Sequence, residues 1–292
     1  MKLLNLSITL LLFTSSAFAQ TAGDFYNRAV KKYKAKDYAG AAIEYTRAIE
    51  IRDDASVLYN NRGVCYYRIE QYDKAIADYD KAIELDASNA NAYFNKGNVL
   101  KALVRYDEAL LAYDKAIELD AYDKKFYQNR GMVKLNLEDY NGSVEDFTKV
   151  LELSPADEKA FYNRGTAYIK LEDYDKAKSD FSKALKINPK YYKALINRGI
   201  CLVFLDDISG AKQDFTTAVS LSPSDGEGYY YRGLATLNEV NLIKGEFKEK
   251  QNIRMIGENV MAKQAACSDF EKAKQFQYSP AFEASRTYCP EE

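Results

Sequence analysis

The sequence predicts an all-α fold made of repeated helix pairs, and three regularities predict it. Glycine recurs every 34 residues, at Gly63, Gly97, Gly131, Gly165, Gly199 and Gly233. The first five are each followed at fixed intervals by a small residue, an aromatic residue and another small or branched residue, as in Ala75, Tyr79 and Ala82 after Gly63. Apolar residues also have helical spacing on both sides of a short break in each period. Each period is therefore predicted to be a helix, a turn and an antiparallel helix.

The composition excludes several classes of function. The chain has 292 residues with 41 basic and 43 acidic side chains, and its net charge of −2 argues against nucleic-acid binding. It contains no histidine, which removes Ser-His-Asp triads, Cys-His pairs and imidazole zinc sites. The sequence also lacks a glycine-rich phosphate loop and clusters of metal ligands. We therefore expect no enzyme activity, no cofactor and no metal.

Residues 1–19 have the pattern of a signal peptide. Lys2 supplies a positive charge, residues 3–13 are almost continuously apolar, and Ala17-Phe18-Ala19 places small residues at the cleavage positions. The apolar run is too short to anchor the mature chain in a bilayer. We expect cleavage before Gln20 and export to the periplasm, with secretion as an open alternative. A buried N-terminal helix is the competing interpretation.

The predicted solenoid, residues 20–280, divides into helix pairs with the same internal frame. The glycine and alanine positions let the two helices approach closely, and the aromatic residue fills the space between them. Pro155, Pro189 and Pro223 lie in phase where second helices should end. The predicted repeats are residues 22–55, 56–89, 90–123, 124–157, 158–191, 192–225 and 226–280.

This frame resembles the tetratricopeptide repeat family, whose 34-residue pattern of glycine, alanine, aromatic residue, alanine and proline it matches. The resemblance covers residues 22 to about 280. It implies a right-handed superhelical solenoid of about seven repeats, with a concave groove lined by the first helix of each repeat.

Two ladders of residues precede the glycine position. The residue directly before it is Arg28, Arg62, Lys96, Arg130, Arg164, Arg198 and Arg232. An acid precedes the second-helix aromatic at Glu44, Asp78, Asp146, Asp180, Asp214 and Asp269. The third repeat has Ala112 instead of the acid and Lys96 instead of arginine, and this joint change predicts a structural ion pair within each repeat.

The second ladder is asparagine, at Asn27, Asn61, Asn95, Asn129, Asn163 and Asn197. It resembles the asparagine ladder in the repeat domain of O-linked N-acetylglucosamine transferase, which implies contact with the backbone of a bound peptide. A primary amide offers donors and an acceptor to a peptide unit. The alternative is that these amides are solvated and idle.

Residues next to the asparagines are candidates for pockets. One position earlier lie Tyr26, Asn60, Phe94, Gln128, Tyr162, Ile196 and Tyr230, which either face the groove or pack against the next repeat. Lys125, Lys159 and Lys193 either favour an acidic partner segment or form a solvated stripe. The two-lysine carboxylate clamp of chaperone-binding family members is absent, because no lysine occupies the position of Tyr26.

The C-terminal end departs from the period. Residues of about 240–261 form an insert within the seventh repeat, predicted to be a helical extension that contacts a partner or folds back on its own repeat. Ser279, as a capping residue, and Pro280 predict the start of a last helix, and residues 281–292 are predicted to cap the solenoid.

The four cysteines fall into two kinds. Cys65 and Cys201 share one repeat position and are predicted to be small buried side chains. Cys267 and Cys289 flank the last helix boundary, and in an exported protein they are predicted to form a disulfide that fastens the cap. Two free thiols are the alternative.

These features together predict a non-enzymatic scaffold that binds an extended polypeptide segment in its concave groove. The partner is expected to be a protein or peptide. The alternative is a structural or assembly subunit of a cell-envelope complex that uses its convex face or the insert.

Overall fold

The computed structural model describes residues 20–239 and 260–289, and these are almost entirely helical. The predicted signal peptide and nearly all of the predicted insert lie outside the described residues. Within them the structure contains paired helices and no strand. None of the described helices is long and apolar enough to cross a membrane.

The helix bounds confirm the predicted helix–turn–helix repeats. They are α1 Ala22–Lys34, α2 Tyr38–Ile51, α3 Ser56–Arg68, α4 Tyr72–Leu85, α5 Ala90–Ala102, α6 Tyr106–Leu119, α7 Lys124–Asn136, α8 Tyr140–Leu153, α9 Glu158–Lys170, α10 Tyr174–Ile187, α11 Tyr192–Phe204, α12 Ile208–Leu221, α13 Gly226–Glu239, α14 Val260–Gln275 and α15 Ser279–Tyr288. Odd-numbered helices up to α13 are the first helices of the repeats.

A left-handed residue makes the tight turn inside each of the first six repeats. These residues have φ near +60°, and one more precedes α15: Lys36, Glu70, Val104, Glu138, Glu172, Asp206 and Gln277. Several second helices then begin with an aspartate cap, as where Asp37 accepts the Gly40 N–H at 2.8 Å. The reversal of the chain is thus built by local backbone geometry and by capping.

Close contact between a glycine and an aromatic ring lies in the core of five of the described repeats, at Gly63, Gly131, Gly165, Gly199 and Gly233. Phe215 is fully buried against Gly199, where an added Cβ would lie only 2.5 Å from Cε1 of the ring. Gly63 faces Tyr79 in the same way, with the nearest ring atom at 2.7 Å. Glycine recurs at this position because the two helices of a repeat lie too close together to leave room for a side chain between the backbone and the ring.

The chain divides into two compact units, Met1–Leu103 and Val104–Glu292. Unit 1 contains α1–α5, and unit 2 contains α6–α15. Besides the helix pairs, successive first helices contact each other directly: α3 with α5 in unit 1, and α7 with α9, α9 with α11 and α11 with α13 in unit 2.

The last helix differs in one detail from its prediction. The helix α15 begins at Ser279, two residues before the predicted capping segment 281–292, so Ser279 lies in its first turn. Tyr278 is the N-cap residue and makes no side-chain capping bond, so the prediction that Ser279 caps this helix was wrong. Proline still fits there because the first turn needs no N–H from it. Elsewhere Cys65 and Cys201 are fully buried, as predicted.

Candidate functional site

The predicted arginine–acid ion pairs are present between the two helices of the repeats. In Arg164, Nε donates to Asp180 Oδ2 at 2.7 Å and Nη2 donates to Oδ1 at 2.9 Å. The same two-point geometry joins Arg62 to Asp78, Arg130 to Asp146, Arg198 to Asp214 and Arg232 to Asp269. In the first repeat Arg28 Nε lies 3.3 Å from Glu44 Oε2. These residues are structural, which leaves the asparagine side of the first helices for other roles.

Sequence reasoning missed a second partner of four of these arginines. The remaining nitrogen, Nη1, bonds a polar residue on the second helix of the preceding repeat in Arg62, Arg130, Arg164 and Arg198, as where Arg164 donates to Thr148 Oγ1 at 2.9 Å. Lys96 keeps only this second kind of bond and donates to Asp80 at 2.6 Å. The positions concerned are polar in every period and were visible in the sequence as Thr46, Asp80, Asp114, Thr148 and Ser182.

Sequence reasoning also missed an aromatic ring under most of these cations. The ring three residues before the arginine lies under its guanidinium, with Cζ 4.2 Å from the Phe25 centroid for Arg28 and 5.6 Å from the Tyr127 centroid for Arg130. A stacked guanidinium is held more firmly than one in water. Because the ring and the arginine belong to the same helix, this contact helps to hold the guanidinium in place for its ion pair with the second helix.

In unit 1, the ladder asparagines Asn61 and Asn95 are linked through Asn60. Asn95 Nδ2 donates to Asn60 Oδ1 at 3.0 Å, and Asn60 Nδ2 donates to Asn61 Oδ1 at 3.3 Å. Asn61 in turn bonds the hydroxyl of Tyr45, whose burial is the main reason that its pKa lies well above the usual value. This amide chain runs from one first helix to the next.

In unit 2, one of the ladder asparagines makes the equivalent link. Asn197 Nδ2 donates to the hydroxyl of Tyr162 in the preceding repeat at 3.2 Å. Asn129 instead bonds its own helix, donating to the Lys125 carbonyl at 2.9 Å. Asn163 is half-buried on the same face of α9, the first helix of the repeat between those of Asn129 and Asn197. Each of these bonds uses one donor of an amide that has two donors and an acceptor.

The candidate pocket residues are half-buried and pack against the aromatic core. Tyr26 meets Tyr45 edge-on with ring centroids 5.9 Å apart, and Tyr162 lies 5.0 Å from Tyr191. Tyr230 contacts Tyr231 and Tyr278 at 5.2 and 5.3 Å. Phe94 is also half-buried, whereas Asn60 and Ile196 are buried. These side chains thus serve the core and line the first-helix surface only in part.

The three predicted lysines are exposed, and each precedes a ladder asparagine by one helical turn. Lys125, Lys159 and Lys193 therefore share a face with Asn129, Asn163 and Asn197. We call this surface of α7, α9, α11 and α13 in unit 2 the first-helix face. In α13 the same two positions hold Glu227 and Tyr231.

Other surfaces offer less organised chemistry. Two open depressions of about 430 and 410 Å³ lie on the second-helix side, one beside Ile43 and Arg47 and one beside Leu185 and Gln213. Among the described residues no group of acidic and cysteine side chains is arranged to hold a metal ion. Burial raises the pKa of the Cys65 and Cys201 thiols to about 12, which makes both poor nucleophiles.

The remaining cysteines, Cys267 in α14 and Cys289 at the end of α15, lie side by side. Their Cα atoms are 5.8 Å apart, which is the usual separation in a disulfide. Tyr288 beside them is buried against Phe270, so the pair lies where the last helix covers the core.

Comparison with known proteins identifies the repeat. A model of the tetratricopeptide repeat matches residues 56–89, 90–123 and 158–191, and a second tetratricopeptide repeat model matches residues 125–157. The chain is a tetratricopeptide repeat protein. Such proteins are protein–protein interaction scaffolds. The search of curated proteins found no matching sequence.

Solved tetratricopeptide repeat structures have the same fold as this protein. The C-terminal part of a repeat protein from Cytophaga hutchinsonii has a TM-score of 0.67 at 20% identity, covering 88% of this chain and 98% of that one. PilF of Pseudomonas aeruginosa has a TM-score of 0.63 at 18% identity, covering 73% and 97%. YrrB, described as a tetratricopeptide repeat protein with an unusual peptide-binding site, has a TM-score of 0.58 at 26% identity, covering 63% and 95%.

Proposed function

We propose that this tetratricopeptide repeat protein binds an extended polypeptide segment along the first-helix face of unit 2. The observation that carries the proposal is the alignment of three amides with three exposed lysines on helices that contact one another in succession. A row of donors and acceptors at regular spacing complements a peptide backbone, which repeats the same groups along its length. The lysines favour acidic side chains in that segment.

The spacing of the helices suits an extended chain. Packed helices lie roughly 8–10 Å apart, and an extended peptide advances about 3.3 Å per residue. Each asparagine is then opposite about every third residue of the peptide. A neutral hydrogen bond contributes only about 0.5–1.5 kcal/mol, so the amides position the segment and its side chains supply most of the specificity.

The described link from Asn197 to Tyr162 is compatible with this function. This bond uses one N–H of the Asn197 amide and fixes its rotamer. The carbonyl oxygen and the second N–H of the amide take no part in it. A fixed amide loses less conformational entropy when a peptide binds. The peptide-binding description of YrrB, at 26% identity, is consistent with the proposal.

The experiment is a selection of random peptides displayed on phage, followed by affinity measurement on two matched triple variants. The first variant is Asn129→Ala, Asn163→Ala and Asn197→Ala. The control is Glu145→Ala, Ser179→Ala and Gln213→Ala, three exposed in-frame positions on α8, α10 and α12. We expect the selected peptides to bind wild type and control equally and the asparagine variant at least tenfold more weakly.

Two outcomes would refute this function. Equal affinity for wild type and the asparagine variant, with unchanged thermal unfolding, would show that the amides do not contact the peptide. Loss of a native partner from a pull-down on deletion of residues 240–259, with retention by the asparagine variant, would favour the assembly-subunit alternative.

We further propose that the protein works outside the cytoplasm, as the sequence of residues 1–19 indicates. The proximity of Cys267 and Cys289 supports this, because disulfides persist in oxidising compartments. The test is the intact mass of the protein recovered from its native cell. A mature chain that starts at Gln20 supports export, and an unprocessed chain in the cytosolic fraction contradicts it.

A further inference from the structure

The first-helix face ends in a reversal of charge. The position that holds Lys125, Lys159 and Lys193 in α7, α9 and α11 holds Glu227 in α13. Because these helices contact one another in succession, a row of three ammonium groups ends at a carboxylate. A ligand that matches the row must therefore change sign at its α13 end.

Glu227 is half-buried, and its side chain has no hydrogen bond or ion pair with any residue in the described ranges 20–239 and 260–289. The neighbouring Asp225 is already engaged, because it accepts the Glu227 N–H at 2.9 Å and the hydroxyl of Tyr192. Burial, with the nearby charge of Asp225, raises the pKa of Glu227, and Lys193 opposes this without forming an ion pair. A partly dehydrated carboxylate without a partner gains most from a cation.

Tyrosines from several elements feel the charge of Glu227: Tyr162 of α9, Tyr192 of α11, Tyr231 of α13 and Tyr278 before α15. Their hydroxyls are held by neighbours. Tyr162 accepts from Asn197 at 3.2 Å, and Tyr192 accepts from the Gly228 N–H at 3.1 Å. Tyr278 is hydrogen-bonded to Tyr231. The rings of Tyr162 and Tyr231 pack on Tyr191 and Phe215, so these tyrosines contribute hydroxyl oxygens near the carboxylate, which can accept hydrogen bonds from a cation.

We propose that this group of Glu227, Tyr162, Tyr192, Tyr231 and Tyr278, here called the Glu227 cluster, binds the cationic side chain of a lysine or arginine in the bound peptide. The inference rests on the function proposed above and adds the charge pattern of the partner. Acidic residues lie opposite the three lysines, and a basic residue lies one helix spacing further on. Each interval corresponds to about three residues of extended chain.

The experiment measures the binding of fluorescent peptides by anisotropy at low salt. The peptides carry three glutamates at every third position in a Gly/Ser background, with a lysine three residues beyond one end. Matched peptides have this lysine at the other end or replaced by glutamine. An acetylated and an unacetylated N-terminus separate recognition of a side chain from recognition of a terminal amine.

We expect one lysine peptide to bind wild-type protein about tenfold more tightly than the glutamine peptide. Glu227→Gln should abolish this preference while leaving the affinity for the glutamine peptide unchanged. Lys159→Gln should lower the affinity for the lysine peptide and for the glutamine peptide by the same factor. Glu145→Gln on α8 should change neither affinity. Because the lysine preference is measured on wild type, it does not depend on the folding of any variant.

The failures of the two proposals are distinguishable. Binding of the acidic peptides without a preference for lysine at either end would overturn the Glu227 cluster alone. A preference that follows only the unacetylated amine would also overturn the lysine or arginine assignment. Absence of binding by all of the peptides, together with failure of the phage selection, would overturn the proposed function as well.

Discussion

Arg130 and Asp146 form a two-point ion pair whose carboxylate is almost completely buried, at 2% exposure. The third guanidinium nitrogen, Nη1, donates to Asp114 in the preceding repeat at 2.7 Å. One side chain therefore holds together the two helices of its own repeat and the second helix of the repeat before it. Stacking of repeats in unit 2 depends on this contact as well as on apolar burial.

Replacing Arg130 should destabilise the protein strongly. Arg130→Ala leaves the Asp146 carboxylate buried with only Lys134 near it, at 3.2 Å. Loss of one partner from a buried ion pair costs about 3 kcal/mol of unfolding free energy. Urea unfolding followed by circular dichroism measures this loss. The control, Lys149→Ala, breaks an exposed pair with Glu152 and should cost under about 0.5 kcal/mol. Equal effects would contradict the structural role.

Substitution of Gly199 should cost stability although alanine is the better helix former. The added methyl would meet the fully buried Phe215 ring at 2.5 Å, and overpacking of this kind costs about 1–3 kcal/mol. The gain in helix propensity recovers about 1 kcal/mol, so Gly199→Ala should lose about 1 kcal/mol overall. Gly23→Ala, at an exposed site in α1, should be neutral or stabilising. Thermal denaturation that ranks the two variants in the opposite order would refute the packing argument.

Glu227 should make folding pH-dependent in an unusual direction. Its pKa in the folded protein is raised by burial and by Asp225, with Lys193 acting oppositely, so the folded state binds the proton more tightly than the unfolded state. Stability should therefore fall as pH rises from the unfolded pKa through the folded one. Glu227→Gln should be more stable than wild type at pH 7 and should lose this advantage in acid. A stability difference that does not change with pH would argue against a dehydrated carboxylate.

Two of the four cysteines should react as free thiols in the denatured protein, and the other two should not. With Cys267 and Cys289 bonded, only the Cys65 and Cys201 thiols of the denatured protein should react with Ellman's reagent in the absence of reductant. After reduction all four thiols should react. A crosslink across 22 residues contributes about 3 kcal/mol in the loop-entropy model, so reduction should lower the melting temperature. Cys65→Ala and Cys201→Ala together should leave the effect of reductant on melting unchanged. Four reactive thiols before reduction would show that the pair is unbonded.

Much of the fold could be predicted from the sequence, because the repeat is local. The spacing from Gly199 to Phe215 lies within one helix pair, whose geometry is the same in every period. The pairing of Arg164 with Asp180 was predictable for the same reason, since each repeat presents the same two positions. Even the third bond of four of the arginines could have been inferred from the polar residues that recur at Thr148 and its equivalents.

The sequence by itself determined the helix pairs, their glycine–aromatic cores and the positions that share the first-helix face, because these depend on contacts within one repeating unit. Only the tertiary structure decided which side chains on this face are hydrogen-bonded to a neighbouring repeat. Asn95 bonds Asn60 and Asn197 bonds Tyr162 across neighbouring repeats, at the same two repeat positions but with a different type of accepting residue. The carboxylate of Glu227 likewise lies near tyrosines from four segments of unit 2 that are far apart in the sequence. The repeat period fixes which positions meet between neighbouring repeats, but the bond that forms there depends on the residue type that each repeat carries and on the conformation of its side chain.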